Sequence, residues 1–327
     1  MEQSVRAVGY RSPRPINDPA SLEDVELPTP TPGPRDLLVR VEAVSVNPVD
    51  VKVRAGSDPG GEIKVLGYDA AGVVKAVGSE VTLFDVGDEV YYAGSIDRPG
   101  TNAQLHLVDE RIVGHKPHSL SFAEAAALPL TTITAWEALF DRFRLGPEST
   151  GKLLVMGAAG GVGSMVIQLA RALTGLTVIG TASRPESRKW ALDLGAHRVV
   201  DHNDLPEGVD FVFSPHTAGQ IENYARVLRP GGAITAIDEP EVLDLLPLKS
   251  KSISFHWEFM FTRPLFQTPD MVVQHELLDR VAELADKGVI RSTMTTRLGP
   301  INAEHLRQAH KMVEDRHMTG KVVVAGF

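Results

Sequence analysis

The chain has 327 residues, of which 43% are hydrophobic and 23% charged, enough for two domains with ordinary buried cores. A formal net charge of −9 argues against a nucleic-acid or anionic-membrane partner, since both need a basic footprint. The absence of cysteine excludes disulfides, iron–sulfur clusters, thiol nucleophiles and cysteine-ligated zinc. The opening text, MEQSVRAVGYRSPRP, has no basic region followed by an apolar core, and no run approaches the roughly 18 apolar residues of a membrane span. A soluble cytoplasmic protein is the expectation.

The first 110 or so residues read as β. In LLVRVEAVSVN (37–47), Val39, Val41 and Ala43 share one face and Arg40 and Glu42 the other, as in a half-buried strand. VLGYDAAGVV (65–74) sets Gly67, Tyr68 and Asp69 between two apolar runs, and GDEVYYAG and AQLHLVD continue at short spacing, which suggests a barrel or sandwich. Pro28, Pro30, Pro32 and Pro34 make an extended connector. Ser121 and Glu124 form a capping box ahead of an alanine-rich helix that Pro129 interrupts, and a second helix is expected over 134–144.

Beyond the GPEST turn the text alternates strand and helix: KLLVMG, the loop AAGGVG, SMVIQLARAL, TVIGTA, PESRKWALDLG, FVFS, a helix near 221–228, then AITAI. That alternation predicts a doubly wound parallel sheet, so the fold class is α/β. A helix near 271–287 follows, and TMTTRLGP and KVVVAGF return to β text, so one domain is discontinuous and built from both ends of the chain.

The glycine loop carries the strongest local chemistry. Ala158-x-Gly160-x-x-Gly163 fits the dinucleotide fingerprint with alanine for the first glycine, and Gly161 and Val162 open the helix. Small residues permit the tight turn, backbone approach to a pyrophosphate and close helix packing, and a helix N-terminus favours the phosphates. The second strand ends in Ser183 and Arg184, with Arg188 and Lys189 behind, where NAD binding calls for an acid. A hydroxyl and a guanidinium suit a 2′-phosphate, so NADP(H) is the expected cofactor. The alternative is that Arg184 and Lys189 decorate an exposed helix start.

With these residues in view, the chain resembles the medium-chain dehydrogenase/reductase superfamily, in its zinc-free quinone oxidoreductase (zeta-crystallin-like) branch, which includes zinc-type alcohol dehydrogenase-like proteins. The ordered set NPVDVKVRAG, LGYDAAGVVKAVG, GDEVYY, ALPLTTITAWEAL, GAAGGVG, LGAHRVVD, LRPGG and GKVVV carries the resemblance across nearly the whole chain. It implies a GroES-like β-barrel catalytic domain, residues 1–124 and 267–327, joined to a Rossmann NADP(H)-binding domain, residues 125–266. In zinc-dependent relatives the stretch matching Gly67-Tyr68-Asp69 is Gly-His-Glu, and the one matching Asn47-Pro48-Val49-Asp50 begins with a cysteine ligand. Here Asn47 and Tyr68 stand in those places, so no metal site is expected.

The chemistry implied is hydride transfer from NADPH to a quinone or α,β-unsaturated carbonyl, whose conjugation spreads the charge that zinc otherwise neutralises. Candidate catalytic residues are Asn47, Asp50, Lys52 and Tyr68. Asn47 is a donor to the nicotinamide ribose or the substrate carbonyl, or holds the turn before Pro48. Lys52 steadies an oxyanion or delivers a proton, or is a solvated lysine on a barrel strand. Asp50 reads as a carboxylate that orients its neighbours. Tyr68 offers its phenol, or fills the vacated metal pocket. The resemblance sets Thr134 near the carboxamide and His202 beside the adenosine phosphate, against a helix cap and a surface histidine. An aromatic segment, SISFHWEFMFTR, and the habit of relatives suggest a homodimer. Two alternatives stay open: an alcohol dehydrogenase with an unrecognised metal site, and an NADPH-binding protein with little turnover.

Overall fold

The structure, a computed structural model, describes residues 4–327. Two compact units divide the chain: Met1–Leu130 with Phe261–Phe327, and Thr131–Met260. The first leg contains β1 (Ser4–Tyr10), β2 (Glu23–Pro28), β3 (Asp36–Ser45), α1 (Pro48–Gly56), β4 (Lys64–Val65) and β5 (Ala70–Val77). It goes on through β6 (Glu89–Tyr92), β7 (Leu105–Asp109), β8 (Val113–His115), α2 (Phe122–Ala126) and the start of α3 (Pro129–Trp136). The second unit holds β9 (Lys152–Val155), α4 (Gly161–Leu173), β10 (Thr177–Thr181), α5 (Pro185–Asp193), β11 (Arg198–Val200), β12 (Val209–Ser214), α6 (Ile221–Val227), β13 (Leu228–Ala236) and β14 (Ser254–Trp257). The chain then returns to the first unit with α7 (Thr262–Phe266), α8 (Val273–Asp286), β15 (Met294–Leu298), α9 (Ala303–Glu314) and β16 (Lys321–Ala325).

In the first unit β3 is the hub. It pairs antiparallel with β5, β7 and β16, so the last strand of the chain lies beside one of the first. Val39, Val41 and Ala43 are buried and Arg40 is exposed, as the alternation predicts. These valines enter a core that also takes Leu66, Val90, Tyr92, Val322 and Val324. A second sheet of three strands runs in the order β2-β1-β4.

The second unit is a six-stranded sheet in the order β11-β10-β9-β12-β13-β14, with every pairing parallel. The chain winds outward from β9 through β10 to β11, then crosses to β12 and winds the other way. The strand order therefore reverses between β9 and β12, and in such sheets ligands bind at the carboxyl ends of the strands there.

Two local expectations are corrected. Lys52 lies on a helix, not a strand. The alternation in NPVDVKV mimics a strand, but Pro48 suits a first helical position and Asp50 Oδ2 accepts the Asn47 N–H at 2.7 Å, which caps α1. Likewise Pro129 begins α3 instead of breaking it, and residues 137–142 continue as a π-helical turn. A proline at the start has no N–H to lose, and the next one, that of Leu130, goes to Asp69 Oδ1 at 2.8 Å. Thr134 thus sits buried inside α3, away from its ends.

Candidate cofactor and reaction site

In the second unit the loop after β9 is shaped by three small residues. Gly157 has φ +64°, a left-handed conformation that glycine adopts without strain. At Gly163 a Cβ would lie 2.4 Å from the Gly157 carbonyl oxygen, so only glycine lets α4 start this close to the loop. Ala158 takes the place of the first glycine because β10 makes room for it: a Cβ on Gly180 would come within 2.7 Å of the Ala158 Cβ. Ser164 donates its N–H to Gly160, leaving the amides of Gly161, Val162 and Gly163 as the first turn, without partners inside the helix. A 13-residue helix with that end turned to the strands' carboxyl edge is an anion seat.

Beside it opens a cavity of about 470 Å³ at the reversal of strand order, with Gly157, His202, Pro215, His216 and Arg226 among its walls. His202 is thereby brought next to the glycine loop. Ser183 and Arg184 are exposed at the carboxyl end of β10, and Arg184 donates to Ser187 Oγ at 3.2 Å. The neighbouring cations are committed elsewhere. Arg188 donates to the carbonyls of Ala182 and Val199, and Lys189 pairs with Asp193 one turn along α5. Arg184 is the cation of the three that keeps its place at the strand end.

In the first unit Asn47, Asp50, Tyr68, Asp69 and Lys321 are all buried. Asp69 is the centre. Its Oδ1 accepts the Leu130 N–H, and its Oδ2 accepts from Asn47 Nδ2 at 2.7 Å and Lys321 Nζ at 3.2 Å. Lys321 also donates to Asn47 Oδ1 and to the Val46 carbonyl. Asn47 Nδ2 reaches the Ser45 carbonyl at 3.4 Å as well, so the Asn47 amide is engaged on both ends inside this cluster. Asp50 Oδ2 is held by the Asn47 N–H, while Oδ1 is buried without a hydrogen-bond partner.

Burial pushes the Asp69 carboxyl up and the Lys321 ammonium down, and each opposes the other's shift by its charge. Burial also raises Asp50, to about 7, despite the Asn47 amide and Lys321. The Tyr68 phenol is pushed well above its ordinary value by burial and by Asp50, and its ring meets Phe261 edge-on at 5.4 Å between centroids. Lys52 is exposed, about 200° around α1 from Asp50, so the helix separates it from this group. Sequence reasoning gave Asp69 no role and missed Lys321; the available signal was a lysine opening the apolar run KVVVA.

Comparison with known proteins gives the lineage. The model for "Alcohol dehydrogenase GroES-like domain" matches residues 33–136, and that for "Zinc-binding dehydrogenase" matches 194–324. A zinc-type alcohol dehydrogenase-like protein of Staphylococcus aureus (strain COL) is 41% identical over 98% of this chain and 99% of its own. The chain belongs to the medium-chain dehydrogenase/reductase superfamily. The crystal structure of a Rhizobium etli CFN 42 protein assigned to the zinc-dependent alcohol dehydrogenases superposes on this superfamily member with a TM-score of 0.95. The two are 54% identical, over 100% of this chain and 99% of that one. The NADPH-dependent alkenal/one oxidoreductase of Arabidopsis thaliana chloroplasts is 31% identical over 88% of this chain and 71% of its own length.

Superfamily membership implies a nicotinamide cofactor, and for some relatives zinc. The glycine loop fits the former, since Gly157 and Gly163 clear the backbone around an anion seat. The zinc implied by the family does not fit. The chain has no cysteine, and no group of three or more histidine or acidic side chains among the described residues is arranged to hold a metal.

Proposed function

We propose that the protein is a zinc-independent, NADPH-dependent reductase that transfers hydride to a quinone or an α,β-unsaturated carbonyl. The observation that carries this reading is the pair Asn47, an amide tied to Lys321 and Asp69, and Tyr68, a buried phenol, at the places where the resemblance sets zinc ligands. Neither is a Lewis acid. An acceptor suited to such a site spreads its developing charge through a conjugated system and asks for little more than orientation and exclusion of water.

Bound NADPH supplies the hydride. The amides of Gly161, Val162 and Gly163 seat its pyrophosphate, Ser183 and Arg184 take the 2′-phosphate, and His202 lies along the adenosine side. The name of the Arabidopsis relative agrees with both the cofactor and the acceptor class. The proposal includes a homodimer through β14, an edge strand that leaves Trp257 50% exposed, with Phe259 just beyond it 46% exposed.

Two other readings have an observation each. The relatives' zinc-type names favour an alcohol dehydrogenase. The internal engagement of Asn47 favours a cofactor-binding protein with little turnover.

The test is NADPH consumption by chelator-treated protein with ortho-quinones, para-quinones, enals and simple aldehydes. Turnover of quinones or enals without metal is the expected result. Silence that zinc converts into alcohol or aldehyde turnover overturns the proposal; silence with tight NADPH binding leaves the binding-protein reading in its place.

A further inference from the structure

The buried cluster of the first unit contains two carboxyls, Asp50 and Asp69, and one ammonium, Lys321. It is electrically neutral only when one carboxyl holds a proton, and a net charge in an interior is costly. Geometry says which one. Both Asp69 oxygens accept from N–H donors: Leu130 on Oδ1, Asn47 and Lys321 on Oδ2. A proton on either would face a donor. On Asp50 the Oδ2 likewise accepts and the Gly67 amide favours the carboxylate, but Oδ1 is buried without a hydrogen-bond partner. An anionic oxygen left bare there costs far more than a neutral hydroxyl.

We propose that Lys321 is a positioning residue for the reaction site: its ammonium holds Asp69 as an anion clamped on Asn47 and on the start of α3, and leaves the cluster's single proton on Asp50. The groups facing Asp50 are Lys321 on β16, the Gly67 amide with Tyr68 and Asp69 on the segment before β5, and the Asn47 amide at the head of α1. The rise of Asp50 to about 7 under burial agrees with this assignment. The inference rests on the proposed reduction in one respect only: an acceptor that has taken hydride needs a proton, and the cluster keeps one near neutrality.

Two variants test it in the full-length protein. Asp50→Asn mimics the protonated carboxyl. Its urea midpoint should exceed the wild type's by clearly more near pH 8 than near pH 5, because wild-type Asp50 loses stability progressively as pH rises from its unfolded value of about 3.9 through its folded value of about 7. Equal destabilisation at both pH values overturns the proton assignment. Lys321→Met removes the cation that favours ionised Asp50. With a quinone or enal as acceptor, the limb of kcat that falls as pH rises should move alkaline by about one unit or more. NADPH affinity should stay within about two-fold, since the glycine loop is untouched, and Lys321→Arg should bring the limb back. An unshifted limb with normal NADPH affinity overturns the positioning role. If Lys321→Met does not fold, the Asp50→Asn stability comparison decides alone. If the wild type reduces no acceptor, the proposed function fails, and the same stability comparison still tests the cluster.

Discussion

The candidate sites of the two units are built from different materials. The glycine loop is made of backbone: its shape follows from residues 157–163, and the phosphate seat proposed for it from amides that have no partner in the first turn of the helix. The Asp69–Lys321 cluster is made of side chains. It joins Asn47, Asp69 and Leu130 to a lysine 252 positions beyond Asp69. The cluster tolerates almost no change, because each member satisfies a charge or donor that would otherwise be buried alone.

That contrast is sharpened most by Lys321→Met. Removing one partner of a buried ion pair should cost about 3–5 kcal/mol, read as a lowered urea midpoint at constant m-value. A loss below about 1 kcal/mol would show that the pair is no stronger than a surface one.

The loop's counterpart is Gly163→Ala. Its Cβ meets backbone oxygen at 2.4 Å, so either α4 or the loop must shift, at about 1–3 kcal/mol. NADPH binding should weaken more than the fold does, and cofactor fluorescence titration would measure it. Unchanged affinity would remove this loop as the phosphate seat.

A third case carries the buried-charge argument beyond the cluster. His310 on α9 is fully buried, neither ring nitrogen has a partner, and burial with nearby Arg54 depresses it to about 3. The unfolded chain binds a proton near pH 6.5 and the folded one does not, so stability is lost as pH falls from about 6.5 toward 3. The loss should reach about 2 kcal/mol near pH 5. His310→Leu should flatten the dependence in that window; an unchanged slope would mean His310 is protonated in the fold.

Smaller effects are expected at the edge of the loop site. Arg184→Ala should weaken NADPH about ten-fold and leave NADH nearly unchanged, a difference of about 1.4 kcal/mol. Lys189→Ala, whose charge is spent on Asp193 at an exposed i,i+4 position, should change either cofactor by less than about 0.5 kcal/mol. Equal losses at both residues would mean that the 2′-phosphate is read by diffuse charge.

What was legible in the sequence follows the same division. The strand–loop–helix text from Lys152 to Leu173, the alternation in β3 and the Ser121–Glu124 cap depend on neighbours within a few residues, and each has a periodic or paired signature. Where two local signals conflicted, reading failed. The alternating valines around Lys52 outvoted the cap formed by Asn47, Pro48 and Asp50, and Pro129 was taken as an end when it was a beginning.

The site residues divide in the same way. Gly160, Gly161 and Gly163 declare themselves by spacing, and Ser183 and Arg184 by their place at a strand end. Asn47 and Tyr68 are candidates as departures from a metal-binding pattern and Asp50 as an orienting carboxylate, but apart from the Asn47–Asp50 cap nothing local tells what they bond to.

The sequence by itself determined the α/β class, the parallel sheet and the glycine loop, because hydrophobic period and glycine geometry are written in consecutive residues. Only the tertiary structure decided that Asp69 is the centre of the buried cluster, that Lys321 is its counter-charge and that Asp50 Oδ1 has no hydrogen-bond partner. Electrostatic pairing depends on distance in space and on the loss of solvent. Both arise only when β16 is laid beside β3 and the ends of the chain close over one another.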